Sequence, residues 1–211
     1  MYESRVTRGC KRQKKEGMHV GIDLSLTSPG LAIHLQESNE WFTYFYAQRK
    51  REQHKQFDHS KFHAIAFEEC DLQNKKELMD RYTTIATDIV EAIKRHNNTQ
   101  VGPPKIRMEG YAFEAQSSSV SKLHELGGIL KYKLHEAGFE WEEVPPTRLK
   151  KWFTGSGLAK KETMYKSFLE KGYPDLLVSF ELHKCKGVPN PVQDIVDACA
   201  LAESWCRKRK K

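Results

Sequence analysis

The 211-residue chain has no long apolar run, because charge interrupts every hydrophobic stretch well short of the roughly 20 residues a membrane span needs. Cysteine is sparse: five residues at positions 10, 70, 185, 199 and 206, an odd number without a C-x-x-C pair. That argues against a disulfide framework and against a cysteine zinc site. There is no H-E-x-x-H motif, since His59 and His63 stand at i,i+4 in a charged stretch without the glutamate. No apolar segment follows the basic residues of positions 1–17, so these do not read as a secretory signal. No internal repeat appears. The expectation is a soluble, intracellular protein with reduced thiols, in the cytoplasm or the nucleus, and no membrane partner.

Charge is present in quantity and unevenly placed. Lys and Arg number 35 against 28 Asp and Glu, for a net charge of +7. Residues 1–17 carry +4 and residues 207–211 carry +5, so the body between them is slightly acidic, at −2. Within that body, residues 147–166 hold Arg148, Lys150, Lys151, Lys160, Lys161 and Lys166 against one acid. A basic stripe and two basic arms suit a polyanion such as DNA or RNA, which binds with release of counterions. A solvated surface with a sorting signal fits the same charges.

The apolar pattern divides the chain into a basic arm (1–17), one domain (18–206) and a basic tail (207–211). Runs at 18–22, 31–35 and 41–46, joined by short turns, predict an antiparallel meander. Residues 48–61 are polar and read as a loop or insertion, and 62–67 has the character of a short strand. Leu78, Tyr82, Ile85, Ile89 and Ile93 recur at helical spacing within 77–96. A strand over 105–108, a helix over 120–137, a strand over 140–144 and a short basic helix capped by Thr147 follow. Further helices are expected near 160–171 and, after Pro191, over 192–206. A meander followed by alternating strands and helices predicts a mixed sheet covered on both faces.

Four carboxylates occupy positions that should be enclosed. Asp23 and Glu109 each end a strand, and Asp194 and Asp197 stand at i,i+3 on one face of the last helix, beside Val196, Ala200 and Leu201. Two like charges at about 4 Å and an effective dielectric near 20 repel by about 4 kcal/mol. Divalent cations held by oxygen ligands relieve that repulsion, and two of them support in-line displacement at phosphorus. The simpler alternative places Asp194 in the first turn for the helix dipole and Asp197 in solvent.

The stretches GIDLSLTSPGLAI from Gly21, IRMEGYAF from Ile106 and DIVDACALA from Asp194 resemble the RuvC family of Holliday-junction resolvases, members of the ribonuclease H-like superfamily. The segment VPPTRLKKWFTGSGLAKK from Val144 resembles that family's basic segment, and the four motifs occur in the family's order. The resemblance implies an α/β ribonuclease H-like fold with a mixed five-stranded sheet flanked by helices. It implies a metal-dependent endodeoxyribonuclease that resolves four-way junctions by paired nicks, as a homodimer with two Mg²⁺ or Mn²⁺ ions per site. Asp23, Glu109, Asp194 and Asp197 then correspond to the catalytic metal ligands. Lys160 or Lys161 corresponds to the lysine near the scissile phosphate, and Lys150 or Lys151 to a backbone contact, with Arg148 beside them. Tyr111 and Phe113 offer rings to unpaired bases at a branch point, or else pack in the core.

This chain departs from the family where an aromatic is expected three residues after the glutamate and Ala112 stands instead. With the 48–61 insertion, residues 172–189 and the basic ends, the pattern is closer to a viral or phage-type relative, in which flaps, Y forms or three-way branches are alternative substrates. GIDLSLTS also resembles the phosphate loop of actin-like ATPases and sugar kinases, but the second Asp-x-Gly turn and the glycine-rich adenosine site of that class are absent. A non-catalytic DNA-binding relative is the remaining alternative. Four retained acids argue against it, because acids beside phosphate weaken binding unless cations lie between them.

Overall fold

The structure, a computed structural model, describes residues 17–48, 62–67, 70–97, 102–110 and 118–206. Among the described residues six strands form one sheet: β1 (Met18–Asp23), β2 (Gly30–Leu35), β3 (Glu40–Gln48), β4 (Phe62–Phe67), β5 (Lys105–Glu109) and β6 (Trp141–Val144), in the order β4-β3-β2-β1-β5-β6. The expected meander is β1-β2-β3, antiparallel throughout, while β4, β5 and β6 each pair parallel to a neighbour. The sheet is therefore mixed, as expected, but has six strands and not five. The extra strand is 62–67, whose alternating pattern FHAIAF pairs along β3 from Thr43↔Phe62 to Gln48↔Phe67.

Strand parity assigns the two faces. Met18, Val20 and Ile22 of β1, Leu31 and Ile33 of β2, and Ile106 and Met108 of β5 join one apolar core. Helices α1 (Lys75–His96) and α2 (Ser118–Glu136) cover that face and supply Tyr82, Ile85, Ile89, Leu126 and Leu130 to the same core. Asn74 caps α1, its side chain accepting from the amides of Lys76 and Glu77, so the helix starts two residues before the expected 77.

The alternate residues of the same strands face α6 (Val192–Glu203), with α3 (Pro146–Thr154), α4 (Lys161–Glu170) and the short α5 (Leu176–Ser179) beside it. The helix α6 lies almost directly on the sheet. A Cβ on Gly21 would fall 2.0 Å from the Ala198 carbonyl oxygen, and one on Gly30 would fall 2.5 Å from that of Asp194. Only glycine allows this approach at these positions. The 3₁₀ turn Ser204–Cys206 continues α6, as the sequence suggested.

One local expectation is corrected. Pro145, not Thr147, takes the N-cap position of α3; Pro146 opens the helix where its missing N–H costs nothing. On α2, Gly127 is buried while Gly128 is exposed with open space around it. No helix among the described residues is long and apolar enough to cross a membrane. The basic arm (1–16), most of the 48–61 insertion, and residues 207–211 lie outside the described residues.

Candidate functional site

The parallel register of β1 and β5 pairs Ile22 with Met108, which places Asp23 next to Glu109, one residue further along both strands. By parity both point to the α6 face. There α6 presents Asp194 and Asp197 in its first two turns. One carboxylate oxygen from each of Asp23, Glu109 and Asp197 lies within 4.8 Å of the other two. Asp194, one turn earlier on α6, is 7 % exposed and accepts a hydrogen bond from the Ser28 hydroxyl. Gln193 Nε2 donates to Asp197 Oδ2 across one turn of the helix.

Electrostatics agree with this crowding. Burial pushes Asp23 well above the carboxylate range, and the charges of Glu109, Asp197 and Asp194 push it further. Burial raises Glu109 too, against the opposing effects of its hydrogen bond with Asp23 and the charge of Lys150. Asp194 is raised to about 6, first by burial and partly by Glu109, with Ser28 and Lys161 opposing. Asp197 is raised to about 7 by burial, Glu109 and Asp194, with Gln193 and Lys150 opposing. Among the described residues no Lys or Arg forms an ion pair with any of the four acids. Such a site is uncomfortable with its acids ionised and no cation present.

The donor set consists of oxygen atoms alone, without imidazole or thiolate, and so fits a hard divalent cation such as Mg²⁺ or Mn²⁺ better than zinc or copper. Asp23, Glu109 and Asp197 are close enough that they could hold one ion, with Asp194 one helical turn from Asp197. The solvent-screened alternative for α6 does not hold, since Asp194 is buried and Asp197 faces two other acids.

The basic residues fall into two groups. Lys150, half-buried on α3, acts electrostatically on Glu109 and Asp197, and Lys161, at the start of α4, acts on Asp194. The exposed Lys151, Lys160 and Arg148 show no such link to the acids. The Arg148 guanidinium lies 5.8 Å from the ring centroid of Trp152. Tyr111 and Phe113 lie outside the described residues. Sequence reasoning missed Ser28 and Gln193. The second stands at i,i+4 from Asp197 and was findable from helical spacing, whereas Ser28 had no signal beyond its place in the turn after Asp23.

A mixed sheet with strand-end acids on its central parallel pair and a crossing helix that adds two more is an α/β, ribonuclease H-like fold with a candidate divalent-cation site. No protein-family model and no curated protein matches the chain. Among solved structures it is similar to Thermus thermophilus RuvC, with 18% identity and a TM-score of 0.53, covering 89% of this chain and 92% of that one. It is similar to T. thermophilus RuvC in complex with Holliday junction substrate (16%, 0.52, 90% and 92%). It is also similar to the yeast mitochondrial Holliday junction resolvase Ydc2 (15%, 0.50, 88% and 76%). At these identities the likeness establishes the fold, and the RuvC-like architecture read from the four motifs is borne out.

Proposed function

We propose that the chain is a metal-dependent endodeoxyribonuclease that resolves four-way DNA junctions by paired nicks, acting as a homodimer. The observation that carries this reading is the meeting of Asp23, Glu109 and Asp197 from three separate elements, with Asp194 one helical turn away. The comparisons add support, because two of the similar structures are described as a Holliday junction resolvase or as bound to a Holliday junction.

Asp23, Glu109, Asp194 and Asp197 hold two Mg²⁺ or Mn²⁺ ions in this reading. Bound there, the ions supply charge neutralisation and activation of water for in-line phosphodiester hydrolysis. The remaining work belongs to the chain. Ser28 and Gln193 each hold one carboxylate oxygen, so the remaining oxygens keep a fixed direction. Lys161 and Lys150, on the Asp194 and Asp197 sides, hold the scissile phosphate and offset the charge that grows on it. Lys151, Lys160 and Arg148 extend the basic surface over neighbouring phosphates, with Tyr111 and Phe113 assigned to unpaired bases.

The test is cleavage of end-labelled four-way junction, three-way junction, flap and linear duplex in Mg²⁺, Mn²⁺ or EDTA. Metal-dependent cutting restricted to the four-way junction is expected. Equal cutting of every branched form assigns a broader debranching nuclease, and tight binding without cutting in any metal assigns a non-catalytic DNA-binding protein.

A further inference from the structure

The chain enters α6, and with it Asp194 and Asp197, from the loop that follows α5. That loop carries Lys184 and Lys186, both exposed, and no acid stands between Leu182 and Pro191.

Backbone contacts hold the loop in place. The Leu182 N–H donates to the Leu177 carbonyl at 2.7 Å and the Cys185 N–H to the Leu182 carbonyl at 2.9 Å, which closes a turn around Lys184. Val188, only 8 % exposed, belongs to the core on the α6 side of the sheet. A Cβ on Gly187 would lie 3.3 Å from Glu162 Oε1, so the loop sits against the first turn of α4. That turn begins at Lys160 and Lys161, and Lys161 acts electrostatically on Asp194.

Four exposed lysines from two separate segments therefore gather at the end of α6 that carries the acids. Among the described residues none of Lys160, Lys161, Lys184 and Lys186 forms an ion pair, although Glu162 reaches Gly187 between them. Farther along α4 and just past its end, by contrast, Lys166 and Lys171 pair with Glu170 and Glu203. Unpaired like charges on a fixed surface raise the local potential, and a polyanion that binds there releases counterions. The patch adjoins a candidate cation site. A phosphodiester chain suits both at once, with one phosphate at the ions and its neighbours at the lysines. The eight-residue step from Lys186 to Asp194 spans at most ~29 Å, less than the ~34 Å of one duplex turn.

We infer that Lys184 and Lys186, beside Lys160 and Lys161, form a phosphate-tracking surface that holds the duplex arm next to the scissile phosphate, within one turn of the cut. The identity of the partner rests on the nuclease reading above, whereas the surface itself uses none of the four acids.

The experiment measures binding of the full-length protein to a four-way junction in EDTA from 50 to 300 mM salt, beside cleavage by the wild type in Mg²⁺ or Mn²⁺. Loss of two phosphate contacts lowers the slope of log K against log salt by about 1.8. Lys184→Ala with Lys186→Ala is expected to show this, with affinity lower on the order of 10²-fold at 50 mM salt and about tenfold at 200 mM. Lys184→Arg with Lys186→Arg keeps the charge and should keep the wild-type slope. If the double alanine variant does not fold, the single variants decide, each lowering the slope by about 0.9. Ethylation of phosphates within one turn of the cut should impair the wild type more than the alanine variant. An unchanged slope in the alanine variants overturns the inference, as does an equal loss in the arginine variant or interference confined to more distant phosphates. Cutting by the wild type with no slope change in the variants removes the surface alone. The expected slopes without cutting in either metal remove the nuclease reading and keep the surface, and no DNA binding at any salt overturns both.

Discussion

Ser28, in the turn after β1, donates its hydroxyl to the buried carboxylate of Asp194 on α6, 166 residues later in the chain. The bond favours the ionised form of Asp194 and opposes the upward push of burial. Ser28→Ala should therefore raise the Asp194 pKa further above about 6. The expected stability loss, on the order of 1–3 kcal/mol, should be larger at pH 8 than at pH 5, where Asp194 is protonated more often. Thermal melting at both pH values in EDTA checks this, and an equal loss at both would reduce Ser28 to a packing role.

The metal-free protein should become less stable as pH rises. All four acids have folded-state pKa values above their ordinary ones, so the folded state holds protons that the unfolded chain has released. Their stabilising contribution is complete below about pH 4, the ordinary carboxylate range, and is lost progressively as pH rises through about 6 for Asp194 and about 7 for Asp197. Melting in EDTA should fall by several degrees between pH 5 and pH 8, and Mg²⁺ or Mn²⁺ should reverse the fall at pH 8. A melting temperature that is flat with pH and unmoved by either ion would contradict the cluster's electrostatics.

Gly21→Ala should be among the more damaging single-methyl changes in the molecule. The added Cβ would meet the Ala198 oxygen at 2.0 Å and the Ala202 nitrogen at 2.5 Å, both backbone atoms that no rotamer change can move. Overpacking of this kind costs about 1–3 kcal/mol or more and lifts α6, with Asp194 and Asp197, from the sheet. Denaturant melts should show the loss, and divalent-ion affinity should fall with it.

The lysines should separate by function. Lys161→Ala and Lys150→Ala are expected to lower the cleavage rate about 10²-fold or more with a smaller change in junction affinity. Lys151→Ala, Lys160→Ala and deletion of residues 207–211 should weaken binding and flatten its salt dependence. Single-turnover rates beside binding isotherms at two salt concentrations distinguish the two patterns. Equal losses of rate and affinity for Lys161→Ala would make it a general backbone contact.

Much of the framework was legible because it is periodic. The i,i+3 spacing of Asp194 and Asp197 and the strand-end positions of Asp23 and Glu109 carry their own geometry, and the α1 apolar stripe predicts its helix to within two residues at its start. The sixth strand was underweighted because FHAIAF follows a polar stretch, and its pairing with β3 is parallel and not a hairpin. Which lysine of each pair faces the acids depends on how α3 and α4 dock, and adjacent residues on a helix point in different directions. Ser28, Gly21 and Gly30 owe their roles to α6, far along the chain, so no local pattern reveals them.

In the proposed reading, a site built on Asp23, Glu109, Asp194 and Asp197 cuts both strands of a junction. A supercoiled plasmid carrying a cruciform reports it, because paired nicks across the junction give linear DNA whereas single nicks give only open circles. Linear product is expected in Mg²⁺ or Mn²⁺ and none in EDTA, with a loss of about 10³-fold or more in Asp197→Asn while cruciform binding persists or improves. Linear product at the wild-type rate from Asp197→Asn, or no cutting of any branched DNA by the wild type in either metal, would contradict it.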